Sequence, residues 1–415
     1  MPEMIEIREE EERLILIGVS VSDNDDTVSS LEELKELADT AGAQTVGMVI
    51  QNRESVHPGT YIGKGKIDEV RELIIETEAT GVICDDELSP AQLKNLEDAL
   101  QTKVLDRTIL ILDIFANRAS TKEGKIQVEL AQLRYRSTRL VGLRNSLSRL
   151  GGGIGTRGPG EKKLEVDRRL IRDRISQLKS ELANVKKTRE TERLLRSKNH
   201  MPVIAIVGYT NAGKSTLLNL LTNAGVLEED KLFATLDPTT RNLKLESGQE
   251  VLFTDTVGFI RKLPHHLIEA FRSTLEEAKY ADIILHMVDS SNPDVYRQMH
   301  IVYETLKNLG IQDKTIITAF NKIDKLEEEQ ILKDFHADYT VKISARTGDG
   351  IPELLALIEK VLNERKELVE RLLSYQEAGK IQTIRKYGQL LEEEYQQDGI
   401  YIKAYVPKEI AQRML

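Results

Sequence analysis

The sequence lacks paired cysteines and long apolar runs. Cys84 is the only cysteine among 415 residues, which excludes an internal disulfide and any zinc site built from several cysteines. No apolar stretch approaches the roughly 20 residues that a transmembrane helix needs. The N-terminus, MPEMIEIREEEE, is acidic and lacks the basic and then apolar pattern of an export signal. We therefore expect a cytoplasmic protein without an integral membrane segment.

Acidic residues outnumber basic residues by 68 to 58, but the basic residues are concentrated in one segment. The net charge is −10, which by itself argues against a nucleic-acid partner. Residues 133–200, however, contain 19 Lys and Arg against 7 Asp and Glu, so this segment carries +12 and the rest of the chain −22. Such asymmetry is typical either of a solvated, arginine-rich helix face or of a surface that binds a polyanion. The sequence favours RNA, because the same segment holds a glycine-rich loop with its own cations.

The first 125 residues alternate strand-like and helix-like pieces. RLILIGVSV, AQTVGMVIQ and VICDD are typical of strands, and the helical pieces between them end at glycine or begin at a serine cap such as Ser89 before Pro90. This alternation predicts a small α/β domain, residues 1–125, with a largely parallel sheet. The basic turn Gly63–Lys66 within it is either a plain connection or a ligand contact.

The next region, residues 126–199, is predicted to be a helical hairpin. Apolar residues in its second half follow the alternating spacing of four and three that marks a coiled-coil seam. The preceding helix carries apolar residues that can cover this seam, so we expect the hairpin to close on itself and the protein to be a monomer. The two sets are Ile171, Ile175, Leu178, Leu182 and Val185, and Val128, Leu130, Leu133 and Leu140.

Two further regions follow the hairpin. Residues 200–364 return to α/β alternation, which begins with the apolar strand VIAIVG. Residues 365–415 predict a helix over Lys366–Ser374, a second helix around IRKYGQLLEEEYQQ and a strand GIYIKAYVP. This last stretch is too short to fold alone easily, and we expect it to form a small appended α/β domain.

The stretch GYTNAGKS, residues 208–215, has the glycine and lysine spacing of a phosphate-binding loop. A predicted strand leads into it and a predicted helix leads out, which is the required context. Glycines let successive N–H groups point at phosphate oxygens, and the helix N-terminus favours the negative charge. Lys214 would contact the β- and γ-phosphates, and the Ser215 hydroxyl would bind Mg²⁺.

Three more strand-end motifs follow in order and indicate a guanine nucleotide. Asp255 and Gly258 of DTVG would hold Mg²⁺ and the γ-phosphate. Asp324 of NKID can accept hydrogen bonds from guanine N1–H and the 2-amino group, which adenine does not offer. The turn Ser344–Arg346 would reach the guanine O6. The predicted nucleotide contacts are Gly208, Tyr209, Thr210, Asn211, Ala212, Gly213, Lys214, Ser215, Phe233, Ala234, Thr235, Leu236, Asp237, Asp255, Thr256, Val257, Gly258, Asn321, Lys322, Ile323, Asp324, Ser344, Ala345 and Arg346.

The segment KLFATLDPTTR should supply a second hydroxyl to Mg²⁺. Thr235, Thr239 and Thr240 are candidates, and we choose Thr235, so the predicted metal ligands are Ser215, Thr235 and Asp255. The predicted catalytic residues are Lys214, Thr235 and Gly258. Signalling GTPases carry a water-orienting glutamine after this glycine, whereas this chain has Phe259. Either another group orients the water, or hydrolysis is slow until a partner completes the site.

These motifs resemble the HflX-type GTPases, relatives of the Obg-like translation GTPases. The resemblance includes GTYIGKGKIDE, the block VLDRTILILDIFANRASTKEGKIQVELAQLRYRSTRL and SRLGGGIGTRGPGEKKLEVDRR, and it spans nearly the whole chain. It implies an N-terminal α/β domain with a helical coiled-coil part, a P-loop GTPase domain and a short C-terminal domain. It also implies binding to the large ribosomal subunit and its RNA, with a role in ribosome rescue, splitting or biogenesis, and a possible secondary ATPase activity. Cofactors would be GTP or GDP and Mg²⁺.

The glycine-rich loop, residues 149–161, contains a match to the dinucleotide fingerprint G-x-G-x-x-G. A dinucleotide loop must follow a strand, whereas the residues before this one predict a helix, so we expect no dinucleotide here. The loop is either a plain flexible hairpin tip or a surface that faces ribosomal RNA. We favour the second and predict Arg149, Arg157, Lys162 and Lys163 as its RNA-facing residues. The alternative for the whole protein is an RNA-binding scaffold whose ribosome affinity is regulated by nucleotide.

Overall fold

The computed structural model describes residues 12–22, 26–150, 159–198, 201–222, 232–263, 277–311, 313–328, 331–364, 366–407 and 411. The chain divides into two compact units, the first made of Met1–Ala183 and Arg261–Phe271 and the second of Asn184–Ile260 and Arg272–Leu415. In the described part of the chain, no helix has the length and apolar character required to cross a membrane.

The first unit begins with a four-stranded parallel sheet in the order β2-β1-β3-β4, as the alternation predicts. Its strands are β1 (Arg13–Ser20), β2 (Gln44–Asn52), β3 (Gly81–Cys84) and β4 (Lys103–Asp106), and its helices are α1 (Thr27–Ala41), α2 (Lys64–Thr77), α3 (Pro90–Leu100) and α4 (Arg107–Arg118). Ser89 caps α3 through a reciprocal capping box with Gln92, which explains why the helix begins directly after this serine.

Buried carboxylates lie where the strands of this sheet end, an edge we call the carboxyl edge. Asp85, directly after β3, accepts hydrogen bonds from Ser30 Oγ at 2.7 Å and from the fully buried Arg107 guanidinium at 2.8 Å. Lys262, from the Arg261–Phe271 segment of this unit, also pairs with Asp85. Burial alone would raise the pKa of Asp85, but Arg107 and Lys262 outweigh it and hold the pKa below its ordinary value.

Asp106, the last residue of β4, has both carboxylate oxygens occupied. One oxygen accepts from Tyr135 Oη at 2.8 Å and from the Ile109 amide, and the other accepts from Arg139 at 2.6 Å and from the Leu88 amide. Asp106 thereby caps α4 and anchors the long helix that carries Tyr135 and Arg139. A buried carboxylate satisfied in this way has a structural role.

The helical region consists of α5 (Lys122–Leu150) and α6 (Pro159–Lys198). As predicted, the two helices pack through an apolar seam, formed by Ile126, Leu130, Leu133, Ile175, Leu178 and Leu182. Ile126 belongs to this seam although the sequence pattern did not identify it, and Val128, which the pattern did identify, is buried outside it. Residues 151–158 of the glycine-rich loop lie outside the described residues.

The second unit contains a six-stranded sheet in the order β10-β9-β8-β5-β7-β6, in which β6 alone is antiparallel. Its strands are β5 (Val203–Gly208), β6 (Thr239–Lys244), β7 (Glu250–Asp255), β8 (Ile283–Asp289), β9 (Thr315–Asn321) and β10 (Tyr339–Lys342). The helices are α7 (Lys214–Thr222), α8 (Val295–Asn308) and α9 (Ile351–Glu364). The apolar cores of β5, β8 and β9 are fully buried, as expected for a parallel sheet covered on both faces.

The C-terminal residues form a three-stranded antiparallel sheet in the order β11-β13-β12, with strands β11 (Lys366–Leu373), β12 (Gln389–Gln396) and β13 (Gly399–Pro407) and helix α10 (Gly379–Tyr387). The predicted helix over Lys366–Ser374 is wrong. KELVERLL has good helix formers, but pairing along all of β13 overrides that weak preference. The second predicted helix is right only for IRKY, because the helix ends at Tyr387 and the residues from Gln389 to Gln396 form β12.

Candidate nucleotide site

The loop between β5 and α7 has the shape that phosphate binding needs, and two glycines permit it. A Cβ on Gly208 would clash with the carbonyl oxygen of Met287, and a Cβ on Gly213, which has φ of +90°, would clash with Asn321 Nδ2. Asn321 Nδ2 donates to the Ala212 carbonyl oxygen at 2.9 Å, which ties the end of β9 to this loop. The glycines therefore allow close packing that no larger residue could match.

The three predicted metal ligands lie together at the start of α7. Ser215 Oγ is 2.7 Å from Thr235 Oγ1 and donates to Asp255 Oδ2 at 2.8 Å. Among the described residues, Asp255 Oδ1 is buried without a hydrogen-bond partner, and burial raises the pKa of this carboxyl even though Lys214 opposes the shift. Two hydroxyls and one carboxylate, with an unsatisfied oxygen, suit a hard cation such as Mg²⁺.

Of the other candidate hydroxyls, Thr240 Oγ1 is instead paired with Thr254 between β6 and β7. Across the described ranges, no group of three or more His, Cys, Asp or Glu side chains could hold a metal ion. The Ser215–Thr235–Asp255 cluster is therefore the metal-site candidate that the described residues offer.

Lys214 is buried beside this cluster, and its Nζ donates to the Tyr209 carbonyl oxygen at 2.7 Å. Burial lowers the pKa of Lys214 to about 8, although the Asp255 carboxylate partly restores it. Because no carboxylate forms a direct ion pair with Nζ among the described contacts, Lys214 remains available for an anion. A phosphate would supply the missing counter-charge.

The candidate guanine-binding motifs also meet at the carboxyl edge of this sheet. Asn321 Oδ1 accepts from the Ala345 amide at 2.8 Å, and Ser344 Oγ donates to Asp324 Oδ1 at 2.6 Å. Lys322 adopts a left-handed conformation and pairs with Asp289 at 2.7 Å. Asp289, the last residue of β8, was missed by the sequence reasoning, although a carboxylate at a strand end was the available signal.

The remaining predicted contacts fall into buried and exposed groups. The buried side chains are Tyr209, Thr210, Ala212, Phe233, Leu236, Thr256, Val257 and Ala345. Thr256 Oγ1 donates to the Ile206 carbonyl oxygen at 2.7 Å, which gives it a structural bond. Asn211, Ala234, Asp237 and Ile323 are partly exposed, and Arg346 is exposed.

Phe259 follows Gly258 and is buried, with 2% of its surface exposed. Its backbone pairs with the phosphate loop, because the Thr210 amide donates to the Phe259 carbonyl oxygen at 2.8 Å and the Phe259 amide donates to Gly208. A phenyl ring carries no hydrogen-bond donor or acceptor and cannot orient water, so another group would have that task.

The structure does not test the predicted RNA-facing residues. Arg157 lies outside the described residues, and Arg149, Lys162 and Lys163 belong to α5 and α6 but their side chains are not among those described.

Three family models match successive parts of the chain. They are described as GTP-binding GTPase N-terminal, over residues 28–116, GTP-binding GTPase Middle Region, over residues 118–196, and 50S ribosome-binding GTPase, over residues 203–322. A crystal structure of a GTP-binding protein from the archaeon Sulfolobus solfataricus in complex with GDP is 24% identical, with 84% of this chain and 98% of that chain covered and a TM-score of 0.45.

Curated relatives match over almost the full length. GTPase HflX of Lacrimispora saccharolytica is 68% identical over 99% of this chain and 97% of that protein, and GTPase HflX of Caldanaerobacter subterraneus is 51% identical over 99% and 95%. GTPase HflX of Escherichia coli is 44% identical over 87% of this chain and 85% of its own. These relatives, together with the three family models, show that the chain belongs to the HflX GTPase family.

Proposed function

We propose that the protein hydrolyses GTP to GDP and phosphate with Mg²⁺, at the carboxyl edge of its six-stranded sheet. The observation that carries this proposal is the cluster of Ser215, Thr235 and Asp255, which leaves one buried carboxylate oxygen unsatisfied beside a buried Lys214 whose charge Asp255 compensates only in part. A bound metal ion would give Asp255 Oδ1 a partner, and a triphosphate would give Lys214 a counter-charge. Family membership supports the same activity.

Each residue has a distinct task in this proposal. Ser215, Thr235 and Asp255 would hold Mg²⁺, which when bound neutralises developing charge on the phosphates. Lys214 would contact the β- and γ-phosphates, and the Gly258 amide would approach the γ-phosphate because this residue has no Cβ. The ammonium of Lys214 is desolvated already, so its attraction for phosphate is stronger than it would be in water.

Guanine specificity would come from Asp324. Ser344 Oγ holds Asp324 Oδ1, which leaves the other carboxylate oxygen for the base, and Asn321 fixes the neighbouring turn. A carboxylate placed to accept from two guanine donors is left unpaired by adenine, and this penalty excludes the wrong base.

We further propose that the protein acts on the large ribosomal subunit, as a rescue, splitting or biogenesis factor. The matching family description names a 50S ribosome-binding GTPase, and the +12 segment of the chain supplies charge for ribosomal RNA. GTP would order the segments around Thr235 and Gly258 and so favour the ribosome-bound form, and hydrolysis would release it.

Gradient sedimentation with purified ribosomal subunits tests this second proposal. We expect the protein to migrate with the large subunit in a non-hydrolysable GTP analogue and to remain at the top of the gradient in GDP. Equal migration in both nucleotides would contradict this proposal, and it would also contradict a scaffold whose ribosome affinity is regulated by nucleotide. Lys214→Ala distinguishes this proposal from the scaffold alternative. If GTP hydrolysis releases the protein, the variant should fail in ribosome release or splitting. If the protein is a scaffold, release and splitting should not change.

The RNA-facing loop is tested by reversing its charge. Arg149→Glu with Arg157→Glu should weaken migration with the large subunit and leave GTP affinity unchanged, since neither residue belongs to the nucleotide motifs. Lys35→Glu with Lys279→Glu is the matched control, because it changes the net charge equally at exposed positions outside the basic segment. A loss of GTP binding in the loop variant would contradict the assigned role.

Hydrolysis of ATP, which the family resemblance implied, stays a prediction. Its origin can be located with the same Lys214→Ala variant. If this variant loses ATP and GTP turnover together, one site serves both nucleotides, whereas retained ATP turnover would point to a second site.

A further inference from the structure

A groove of 480 Å³ lies between α5 and α6, within the first unit and apart from the nucleotide motifs. Its volume falls in the range of about 300–1,000 Å³ that is typical of small-ligand sites. Each helix contributes three residues at positions i, i+3 and i+4, which together form one face of a helix. They are Arg136, Arg139 and Leu140 on α5, and Asp167, Leu170 and Ile171 on α6.

The groove lies where the apolar seam between the two helices ends. The members of the seam nearest to the groove are Leu133 on α5 and Ile175 on α6. The next position in the spacing of four and three on α5 is Ser137, whose side chain is too small to continue the apolar packing. Leu140 and Ile171, which the sequence predicts as seam residues, line the groove instead.

The walls of the groove are mainly apolar. Leu170 is 58% exposed, although it is a large aliphatic residue. The guanidinium of Arg139 pairs with Asp106 at 2.6 Å and lies 3.9 Å from the centre of the Tyr135 ring, which leaves the aliphatic stem of Arg139 to line the groove. An apolar surface kept open to solvent in this way suits a ligand with apolar faces of its own.

Two charged side chains of opposite sign, Arg136 and Asp167, line the same groove. Arg136 is exposed and Asp167 is half-buried, and neither forms a hydrogen bond or an ion pair in the described part of the chain. The surrounding segment, residues 133–200, carries a charge of +12. A polyanion is therefore attracted to this region, whereas a basic peptide is repelled. Asp167 adds a local acceptor for a hydrogen-bond donor on the ligand.

We propose that the groove between α5 and α6 binds an unpaired nucleobase of RNA. The flat faces of the base pack on Leu170 and Ile171, and a base amino group donates a hydrogen bond to the Asp167 carboxylate. Arg136 contacts the phosphate of the same nucleotide. An apolar peptide side chain would use neither charge. This inference deepens the proposed action on the large ribosomal subunit and rests on it.

Short RNA oligomers distinguish recognition of a base from attraction to the phosphate backbone. The measurement is fluorescence anisotropy of labelled oligomers titrated with the full chain at one fixed salt concentration. Oligocytidylate of about ten nucleotides should bind about tenfold more tightly than an abasic oligomer of the same length and charge. Leu170→Ser should weaken binding of oligocytidylate and leave binding of the abasic oligomer unchanged. Equal affinity of the unmodified protein for the two oligomers would overturn the inference.

The contact of Asp167 is tested by comparing oligocytidylate with oligouridylate. Cytosine carries an amino donor where uracil carries a carbonyl, so the unmodified protein should bind oligocytidylate about fivefold more tightly. Asp167→Ala should bring this ratio to about one. Asp173→Ala is the matched control, because it removes an exposed carboxylate of the same helix outside the groove, and it should keep the ratio. The ratio is informative because the change in net charge affects both oligomers equally.

The outcomes separate this inference from the proposed function. A ratio that Asp167→Ala leaves unchanged, or an absence of binding to all three oligomers, would overturn the inference. If the protein nevertheless migrates with the large subunit in a non-hydrolysable GTP analogue, the proposed function stands without it. If the protein fails to migrate with the large subunit, the proposed function itself fails.

Discussion

The four-stranded and six-stranded sheets differ in how completely the buried charged groups at their carboxyl edges are hydrogen-bonded. At the edge of the first sheet, Asp85 and Asp106 are buried and every carboxylate oxygen accepts a hydrogen bond from the unit's own donors. At the edge of the second sheet, Asp255 keeps an unsatisfied oxygen and the buried Lys214 donates only to a backbone carbonyl. The first edge is complete as folded, and the second is incomplete until a ligand arrives.

The pKa values of Asp85 and Asp255 are shifted in opposite directions, in line with this difference between the two edges. Arg107 and Lys262 hold the pKa of Asp85 below its ordinary value despite burial, whereas burial raises the pKa of Asp255 because its cationic neighbour compensates too little. Strand position alone therefore does not identify a binding site. At the second edge, the unsatisfied Asp255 oxygen lies in the Ser215–Thr235–Asp255 cluster, and a ligand there would restore the partner that burial removes.

The largest expected effect tests the incomplete edge. Asp255→Asn should lower GTP turnover on the large subunit by about 1000-fold, because the amide is a weak metal ligand and carries no charge. The measurement is phosphate release at saturating GTP. Asp313→Asn makes the same change at an exposed turn and should leave turnover unaffected. Normal turnover in Asp255→Asn would remove this carboxylate from the metal site.

A stability measurement tests the complete edge. Arg107→Met should lower the free energy of unfolding by about 3–5 kcal/mol, because it leaves the buried Asp85 without its main counter-charge. The exposed pair of Arg174 with Glu129 is the matched control, and Arg174→Met should lower the free energy of unfolding far less than Arg107→Met does, because solvent screens this pair. Urea unfolding measures both changes. Similar losses in the two variants would mean that burial does not decide the contribution of an ion pair here.

The contribution of Asp85 should also depend on pH. Its pKa is lower in the folded protein than the value of about 3.9 in an unfolded chain. Its stabilisation is therefore fully present above that unfolded value and is lost as the pH falls through the folded value. The stability difference between the unmodified protein and Asp85→Asn should stay constant from pH 7 to about pH 4 and narrow as the pH falls further. A difference that does not narrow below about pH 4 would contradict the assigned ion pair.

The sequence predicted the sheets of the N-terminal and P-loop GTPase domains well, because apolar periodicity and loop spacing are local signals. The structure places Thr235 Oγ1 at 2.7 Å from Ser215 Oγ, and the choice of Thr235 over Thr239 and Thr240 as a metal ligand stays a prediction. The role of Asn321 in tying the phosphate loop to the Ala345 turn joins residues over a hundred positions apart, which spacing cannot reveal.

The C-terminal strands show where local reasoning fails. Lys366–Leu373 has helix-forming residues, but its pairing with β13 is a long-range interaction that propensity does not contain. Similarly, nothing near Asp85 in sequence indicates that Arg107 and Lys262 neutralise it. Sequence motifs identify candidate sites. The folded structure shows in addition whether each buried carboxylate oxygen has a hydrogen-bond partner, and this separates carboxylates with a structural role from candidates for ligand binding.

The most direct test of this comparison is whether each of two matched substitutions raises or lowers the free energy of unfolding of the nucleotide-free protein at pH 7. Asp85→Asn should destabilise it, and Asp255→Asn should stabilise it by about 1 kcal/mol, because it removes a buried charge that folding leaves poorly compensated. Urea unfolding of both variants without nucleotide or Mg²⁺ gives the answer. Opposite signs are the predicted result, and destabilisation by both would contradict the claim that the second edge is incomplete without its ligand.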